Sequence, residues 1–220
     1  MQKYLILLVM VSLGQATEKS AQYMCRSSII RAEHHFKIPA SLLAAVSLIE
    51  SGKVVKGQKD VVAWPWALNV EGVPKFYPTK TEATLALQQY LDAGITNIDV
   101  GCMQLNYRHH GKAFKSPAYM LDPKRNVDYG AQFLLQLHKR YKSWTKAIGH
   151  YHSATLKHQV PYRKKVYDKW QAVRHQLSDQ EVANEIFTGT SPQARRLMKP
   201  LPSTATPQVL KPQIVGHLTR

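Results

Sequence analysis

The chain has 220 residues, 44% of them hydrophobic, and its 30 Lys and Arg against 14 Asp and Glu give a formal charge of +16. That apolar content supports a sizeable core and excludes wholesale disorder, a collagen-like chain and a polytopic membrane protein. Two cysteines are too few for a disulfide framework or a four-cysteine zinc site.

The first sixteen residues, MQKYLILLVMVSLGQA, combine Lys3, an apolar run from Tyr4 to Gly14, and small Gly14 and Ala16 ahead of polar TEKS. They read as a secretory signal peptide over 1–16, since the run falls short of the roughly 20 residues that span a bilayer. An uncleaved N-terminal anchor is the alternative. Either way the remainder is exported, to the periplasm or cell envelope. In an oxidising compartment Cys25 and Cys102 are expected to pair, with two separate buried thiols as the alternative.

Residues 26–37 are expected to be helical. A second helix opens with Pro39 at its first position and ends at Gly52, read as a left-handed C′ glycine. Its apolar stripe is Leu42, Leu43, Val46 and Ile49. A loop follows over 53–60. Ala67–Val70 and Val73–Tyr77 flank Glu71-Gly72 as a β-hairpin. Thr79 to Glu82 forms a capping box for a helix to Ala93, closed by Gly94. Ile95–Gly101 is extended. Asp122-Pro123 caps a long helix through Tyr141, with Val127, Phe133, Leu134 and Leu137 on its core face. Ser143 caps a short helix ending near Tyr151, and a last long helix occupies about 160–177. A second capping box, Ser178 to Glu181, opens a short segment to Phe187. Five of the twelve prolines and five Lys/Arg without an acid fall in 191–220, the composition of a Pro-rich, basic, extended tail. The expected architecture is mainly α: a helical domain over 17–190 with a small β-hairpin insert, followed by the tail.

Glu50 breaks the pattern. It lies at i+4 from Val46 and i+7 from Leu43, on the edge of the apolar stripe. It also sits in the last helical turn, where the macrodipole is negative. Partial burial and the dipole both disfavour the anion and raise its pKa. A carboxylic acid kept protonated near neutrality is what glycosidic cleavage needs as a general acid. A snorkelling Glu50, or one paired with Lys53, is the structural alternative.

Three strings occur in order: LLAAVSLIESG ending in Glu50-Ser51-Gly52, then VGCMQLN with Gly101, Met103 and Gln104, then NVDYGAQFLLQLHKRYKSWTKAIGHYHSA with Asn126, Gly130, Ala131, Trp144 and Tyr151. The set resembles the soluble lytic transglycosylase (SLT, goose-lysozyme-like) family over about residues 27–170. The insert WPWALNVEGVPKFYPT and the string YHSAT look like those of a bacterial subgroup. The resemblance implies a lysozyme-like helical fold and cleavage of peptidoglycan between MurNAc and GlcNAc. It implies Glu50 as catalytic acid/base, Ser51 beside it placing substrate or the glutamate, Met103 and Gln104 lining the saccharide groove, and Tyr151 reaching the catalytic centre. His152 stands where the family usually has Asn and is read as a groove residue. Asn106 lies near the groove by position. Ile98-Asp99 stand where the family usually has Gly-Ala.

Glycosidases generally need two carboxyl groups, and the matched strings supply one. A transglycosylase works with one, because the MurNAc 6-hydroxyl is the nucleophile and the product is a 1,6-anhydro end. Asp99 is the rival second carboxylate, which would permit hydrolysis. Trp64, Trp66 and Tyr77 either stack on sugar rings or pack the hairpin on the helices. The pairs His34-His35, His109-His110 and His150/His152 are not spaced as chelating sets, and HExxH is missing, so no metal and no cofactor are expected. The basic surface suits anionic wall polymers; nucleic acid, which the charge alone would fit, is set aside by the signal peptide. The expected partners are peptidoglycan glycan strands and, through the tail as a docking arm, a secretion or conjugation apparatus. A catalytically silent peptidoglycan-binding scaffold and a hydrolytic muramidase are the competing functions.

Overall fold

Helix α1 covers 23–36 and is followed by α2, Leu42–Ser51. The computed structural model describes residue 21, residues 23–55 and residues 61–176. The signal segment 1–16, the capped segment from Ser178 to Phe187 and the tail 191–220 lie outside the described residues.

Pro39 stays ahead of α2 instead of opening it, and Ser41 takes a left-handed φ of 65° immediately before the first turn. The cap comes from another helix. The buried Glu33 carboxylate of α1 accepts from the backbone N–H of Ser41 at 2.8 Å, Leu43 at 2.7 Å and Ala44 at 3.1 Å. Those donors have no intrahelical partner, so a carboxylate there satisfies them and favours the positive helix end. At the other end Gly52 is extended, with φ −61° and ψ 124°, not left-handed. Its lack of a side chain matters for a different reason: a Cβ would lie 2.3 Å from the Leu48 carbonyl oxygen and 2.6 Å from Val61 Cγ1.

Gly52 therefore starts a strand. The ribbon of β1 (Gly52–Val54) and β2 (Val61–Ala63) replaces part of the expected loop. The hairpin appears as β3 (Ala67–Val70) and β4 (Val73–Phe76). Glu71 and Gly72 have φ of 51° and 91°, the two positive values of a type I′ turn. The hairpin does not stand alone. It joins β5 (Ile98–Val100) and β6 (Leu105–Asn106) in an antiparallel sheet ordered β4-β3-β5-β6. The register sets Leu68, Val100 and Leu105 in one row and Asn69, Asp99 and Asn106 in the next. Alternation thus separates an apolar face, where Leu68, Val70, Ile98, Val100 and Leu105 are buried, from a polar one.

Helix α3 (Lys80–Asp92) is capped by Thr79, whose hydroxyl accepts from Glu82 N. Short α4 (Tyr107–His110), a 3₁₀ turn at Gly111–Ala113 and α5 (Pro117–Met120) lead into α6, Pro123–Tyr141. Asp122 caps α6 and Ser143 caps α7 (Trp144–His152), each accepting from the N–H three residues on. Helix α8 runs Leu156–Gln176, four residues longer at its start than the sequence indicated. Pro161 lies inside it, forgoing one backbone hydrogen bond. Helix α7 packs between α6 and α8, and α8 packs on α2. Leu42, Leu43, Val46, Leu134, Ile148 and Val166 fill the space between them, all inaccessible to solvent. Cys25 and Cys102 are joined by a disulfide, Cα atoms 5.8 Å apart across 77 residues of sequence, tying α1 to the turn between β5 and β6.

Candidate active site

Glu50 is half-buried on the last turn of α2. The Tyr162 hydroxyl, brought over by α8, donates to its Oε1 at 2.5 Å. Burial pushes the Glu50 carboxyl up to about 7; the Tyr162 hydrogen bond works against this, and the charge of Asp99 adds to it. The Lys53 ammonium lies over the Trp64 ring, 3.7 Å from the centroid. The carboxyl can therefore give up a proton at neutral pH, and its anion can then take one back.

The turn Gly101–Gln104 is fastened beside this carboxyl from three sides. From α2, the hydroxyls of Ser47 and Ser51 each donate to the Cys102 carbonyl at 2.8 Å. From α6, buried Asn126 donates to the carbonyls of Val100 at 2.8 Å and Met120 at 3.0 Å, and accepts from Met103 N at 2.8 Å. From α7, the Tyr151 hydroxyl donates to the Met103 carbonyl at 2.8 Å. Gly101 takes φ +79°, and a Cβ there would meet Asn126 Nδ2 at 2.7 Å. Gly130 in α6 leaves room for Met103, whose Cβ and Cγ would be 2.9 Å from an added methyl.

These contacts place the other residues expected at the site. Ser51 and Met103 are 1% and 0% exposed. The Ser51 hydroxyl holds the turn from α2, and the Met103 side chain packs against Gly130. Gln104, at φ 43°, folds its amide back to donate to the carbonyls of Ala67 at 3.2 Å and Gly101 at 3.0 Å. Trp64 and Trp66 are buried against each other edge to face, and Trp64 Nε1 donates to the Tyr77 carbonyl at 2.7 Å. Both indoles pack the hairpin on the helices and offer no open stacking platform.

Tyr151 stands next to the acid. Burial holds its phenol well above the usual range, and the neighbouring charges of Glu50, Asp99 and Tyr129 add to this. His152 stacks flat on the Tyr162 ring, 4.2 Å between centroids and 3° between planes. Its imidazole is held below its ordinary pKa, first by burial and then by His158 and Lys165. Asn106 donates to Asp99 Oδ1 at 2.9 Å and Asn97 Oδ1 at 3.0 Å. Asp99 is raised by burial, while the Asn106 hydrogen bond and nearby His109 oppose the shift.

Tyr162 is the site residue that the sequence reading passed over. Its signal was present: Gln159, Tyr162, Val166 and Val173 form one buried stripe of α8, and Tyr162 alone carries a hydroxyl that can reach beyond it. Half-buried His110 and buried Tyr129 form a further pair, with Nδ1 and hydroxyl 3.0 Å apart. Burial lowers His110 to about 4, which suits a neutral packing role. Among the described residues no group of three His, Cys, Asp or Glu is placed to hold a metal ion.

A mainly helical domain with small antiparallel sheets, and a carboxyl at a helix end pushed up by burial beside two phenols, fit a protein of the lysozyme-like class. The model of the Transglycosylase SLT domain family matches residues 27–172, and the chain belongs to that family. Membership implies lytic transglycosylase activity on peptidoglycan, and with it peptidoglycan binding. Membership and the disulfide together point to an extracytoplasmic location. Among the described residues no helix is long and apolar enough to cross a membrane. No curated protein and no solved structure matches the chain significantly.

Proposed function

We propose that this protein is an exported lytic transglycosylase of the WPW-containing subgroup. It cleaves the MurNAc-GlcNAc bond with Glu50 as single general acid/base and leaves a 1,6-anhydro-MurNAc end. The observation that carries this reading is the half-buried Glu50 carboxyl, hydrogen-bonded by Tyr162 and still protonated up to about pH 7. Glu50 protonates the glycosidic oxygen as the bond to the anomeric carbon breaks. The MurNAc 6-hydroxyl then attacks that carbon, and its proton passes to the Glu50 carboxylate, so no water is consumed and the acid is restored. The Tyr151 hydroxyl points its proton at the Met103 carbonyl. That leaves its oxygen lone pairs to face the cationic sugar, together with the substrate's own N-acetyl group.

His152 acts through Tyr162, on whose ring it stacks. Gln104 shapes the wall of the groove through its backbone, with its amide pinned inward. The proposed organisation is a signal peptide over 1–16, the catalytic domain over 17–190, and a basic tail over 191–220 that docks a secretion or conjugation apparatus in the periplasm or cell envelope.

Digestion of purified sacculi followed by mass spectrometry tests the reading. The expected products carry anhydro ends, and Glu50→Gln keeps the fold while abolishing release. Full release by the Glu50→Gln protein overturns the assignment. Products heavier by one water identify a hydrolytic muramidase instead, the reading that the proximity of Asp99 to Glu50 favours. Binding without any product identifies a silent scaffold.

A further inference from the structure

A buried amide that the acid chemistry does not use holds the connection between α7 and α8. Gln159, in the first turn of α8, is 4% exposed. Its Nε2 donates to the carbonyls of Ser153 at 2.9 Å and Ala154 at 3.3 Å, and lies 3.2 Å from His150 Nδ1. Carbonyls only accept, so the NH₂ end must face them, and this fixes the orientation of the amide. The His150 ring lies flat on Tyr141 of α6, 4.0 Å between centroids and 4° between planes. Burial, then Arg140, Arg163 and Lys146, hold its imidazole below the ordinary pKa, and a neutral ring offers the amide an acceptor nitrogen. Gly149 makes room: a Cβ there would lie 3.0 Å from Gln159 Oε1 and 3.1 Å from Gln159 Cβ. The amide ties α8 to the end of α7 and, through the ring stack, to α6.

What this clamp places is the partner of the acid. Tyr162 follows Gln159 by three residues, one turn on along the same buried stripe, and its hydroxyl donates to Glu50 Oε1 at 2.5 Å. Ser153, whose carbonyl the amide holds, adjoins His152, the last residue of α7. The His152 ring covers that of Tyr162 at 4.2 Å. The backbone ladder of α8 is weakened here, because Pro161 inside the helix has no N–H to donate. The first turn of α8 is therefore fixed from outside the helix, and Gln159 supplies the contacts. Around Glu50 the titratable groups are Tyr162 of α8, Asp99 of β5 and Tyr151 of α7; His158 and Lys165 of α8 lie near His152. Both phenols are held well above their ordinary range by burial, so they stay neutral while Glu50 titrates.

We propose that Gln159 is a positioning residue: by clamping the α7–α8 connection it sets the Tyr162 hydroxyl on Glu50 and the His152 ring on Tyr162. The proposal rests on Glu50 being the acid, because the effect of Gln159 on turnover passes through that carboxyl.

Gln159→Met keeps the length of the side chain and removes its donors. In NMR titration of the Glu50 carboxyl carbon in the full chain, the midpoint is expected to rise by about one pH unit, as in Tyr162→Phe, because the anion loses its hydrogen bond. On sacculi kcat at pH 6 falls roughly tenfold with KM unchanged. In a Tyr162→Phe background Gln159→Met adds no further loss of kcat, since both act on one bond. An unmoved Glu50 midpoint, an unchanged kcat, or losses that add in the double variant overturns the proposal; a lower kcat with an unmoved midpoint marks Gln159 as a structural support only. Gly149→Ala crowds the amide without removing a donor and serves if Gln159→Met does not fold. Its Glu50 midpoint should rise by about half a pH unit, and no rise overturns the proposal equally. Because the titration needs no turnover, failure of Glu50 as the acid shows up separately, as activity in Glu50→Gln.

Discussion

The proton on Glu50 has a cost in stability whose sign can be worked out. Below about pH 4.5 the carboxyl is protonated in both folded and unfolded chains. Between that value and about 7 the unfolded chain loses the proton while the folded one keeps it, so stability falls as pH rises through this window and levels off above it. The difference amounts to about 3 kcal/mol. Glu50→Gln, which has no charge to suppress, should therefore be more stable than wild type by about that amount at pH 8 and equal to it at pH 4. Urea unfolding at the two pH values checks this, and a pH-independent difference contradicts it. Tyr162→Phe acts in the other sense. The hydroxyl favours the anion of Glu50, so its removal should move the alkaline limb of activity to higher pH. It should also reduce kcat roughly tenfold at pH 6, since the carboxyl loses its orienting partner. A pH-rate profile of the purified variant measures both effects.

At the scale of elements, the site depends on how the turn between β5 and β6 is fastened to α2, α6 and α7. Asn126→Ala would leave the carbonyls of Val100 and Met120 and the N–H of Met103 without their buried partner. A loss of about 3 kcal/mol is expected in denaturant unfolding, with activity falling because Met103 carries the Tyr151 contact. Two glycines separate backbone strain from steric clash. Gly94, at φ +78°, has open space where a Cβ would go, whereas Gly101, at φ +79°, has Asn126 there. Gly94→Ala should cost about 1–2 kcal/mol. Gly101→Ala should cost clearly more and should also impair turnover. Equal losses for the two variants would mean that Asn126 yields freely.

At the scale of the whole molecule, the disulfide closes a span of 77 residues between α1 and the site turn. Reduction should lower stability by about 4 kcal/mol in the chain-entropy account, and a thermal melt with and without reductant measures it. The charge of +16 should make sacculus binding salt-sensitive, because exposed charges are screened within about 10 Å at 0.1 M salt. A sedimentation assay across ionic strength reads that dependence.

Much of this was legible along the chain. The helix over 123–141, its Asp122 cap, the Glu71-Gly72 turn and the Thr79 cap all rest on neighbours within four residues, and local chemistry dictates such features. Glu50 stood out because a charged residue on an apolar stripe is conspicuous in any window. Other features depended on partners far away in sequence. Glu33 caps α2 across a connection, so Pro39 was not needed at the first turn. Gly52 is required by Val61 and Leu48, not by a left-handed turn. Ser51, Met103 and the two indoles carry side chains that suit a groove or a core equally well, and packing put them in the core. Tyr162 meets Glu50 across 112 residues. Periodicity and capping read the backbone's local preferences, which is why the elements and the odd carboxyl were visible in one dimension. Burial, proton affinity and hydrogen-bond partner are properties of the space between elements, and they came into being only when α8 closed over α2.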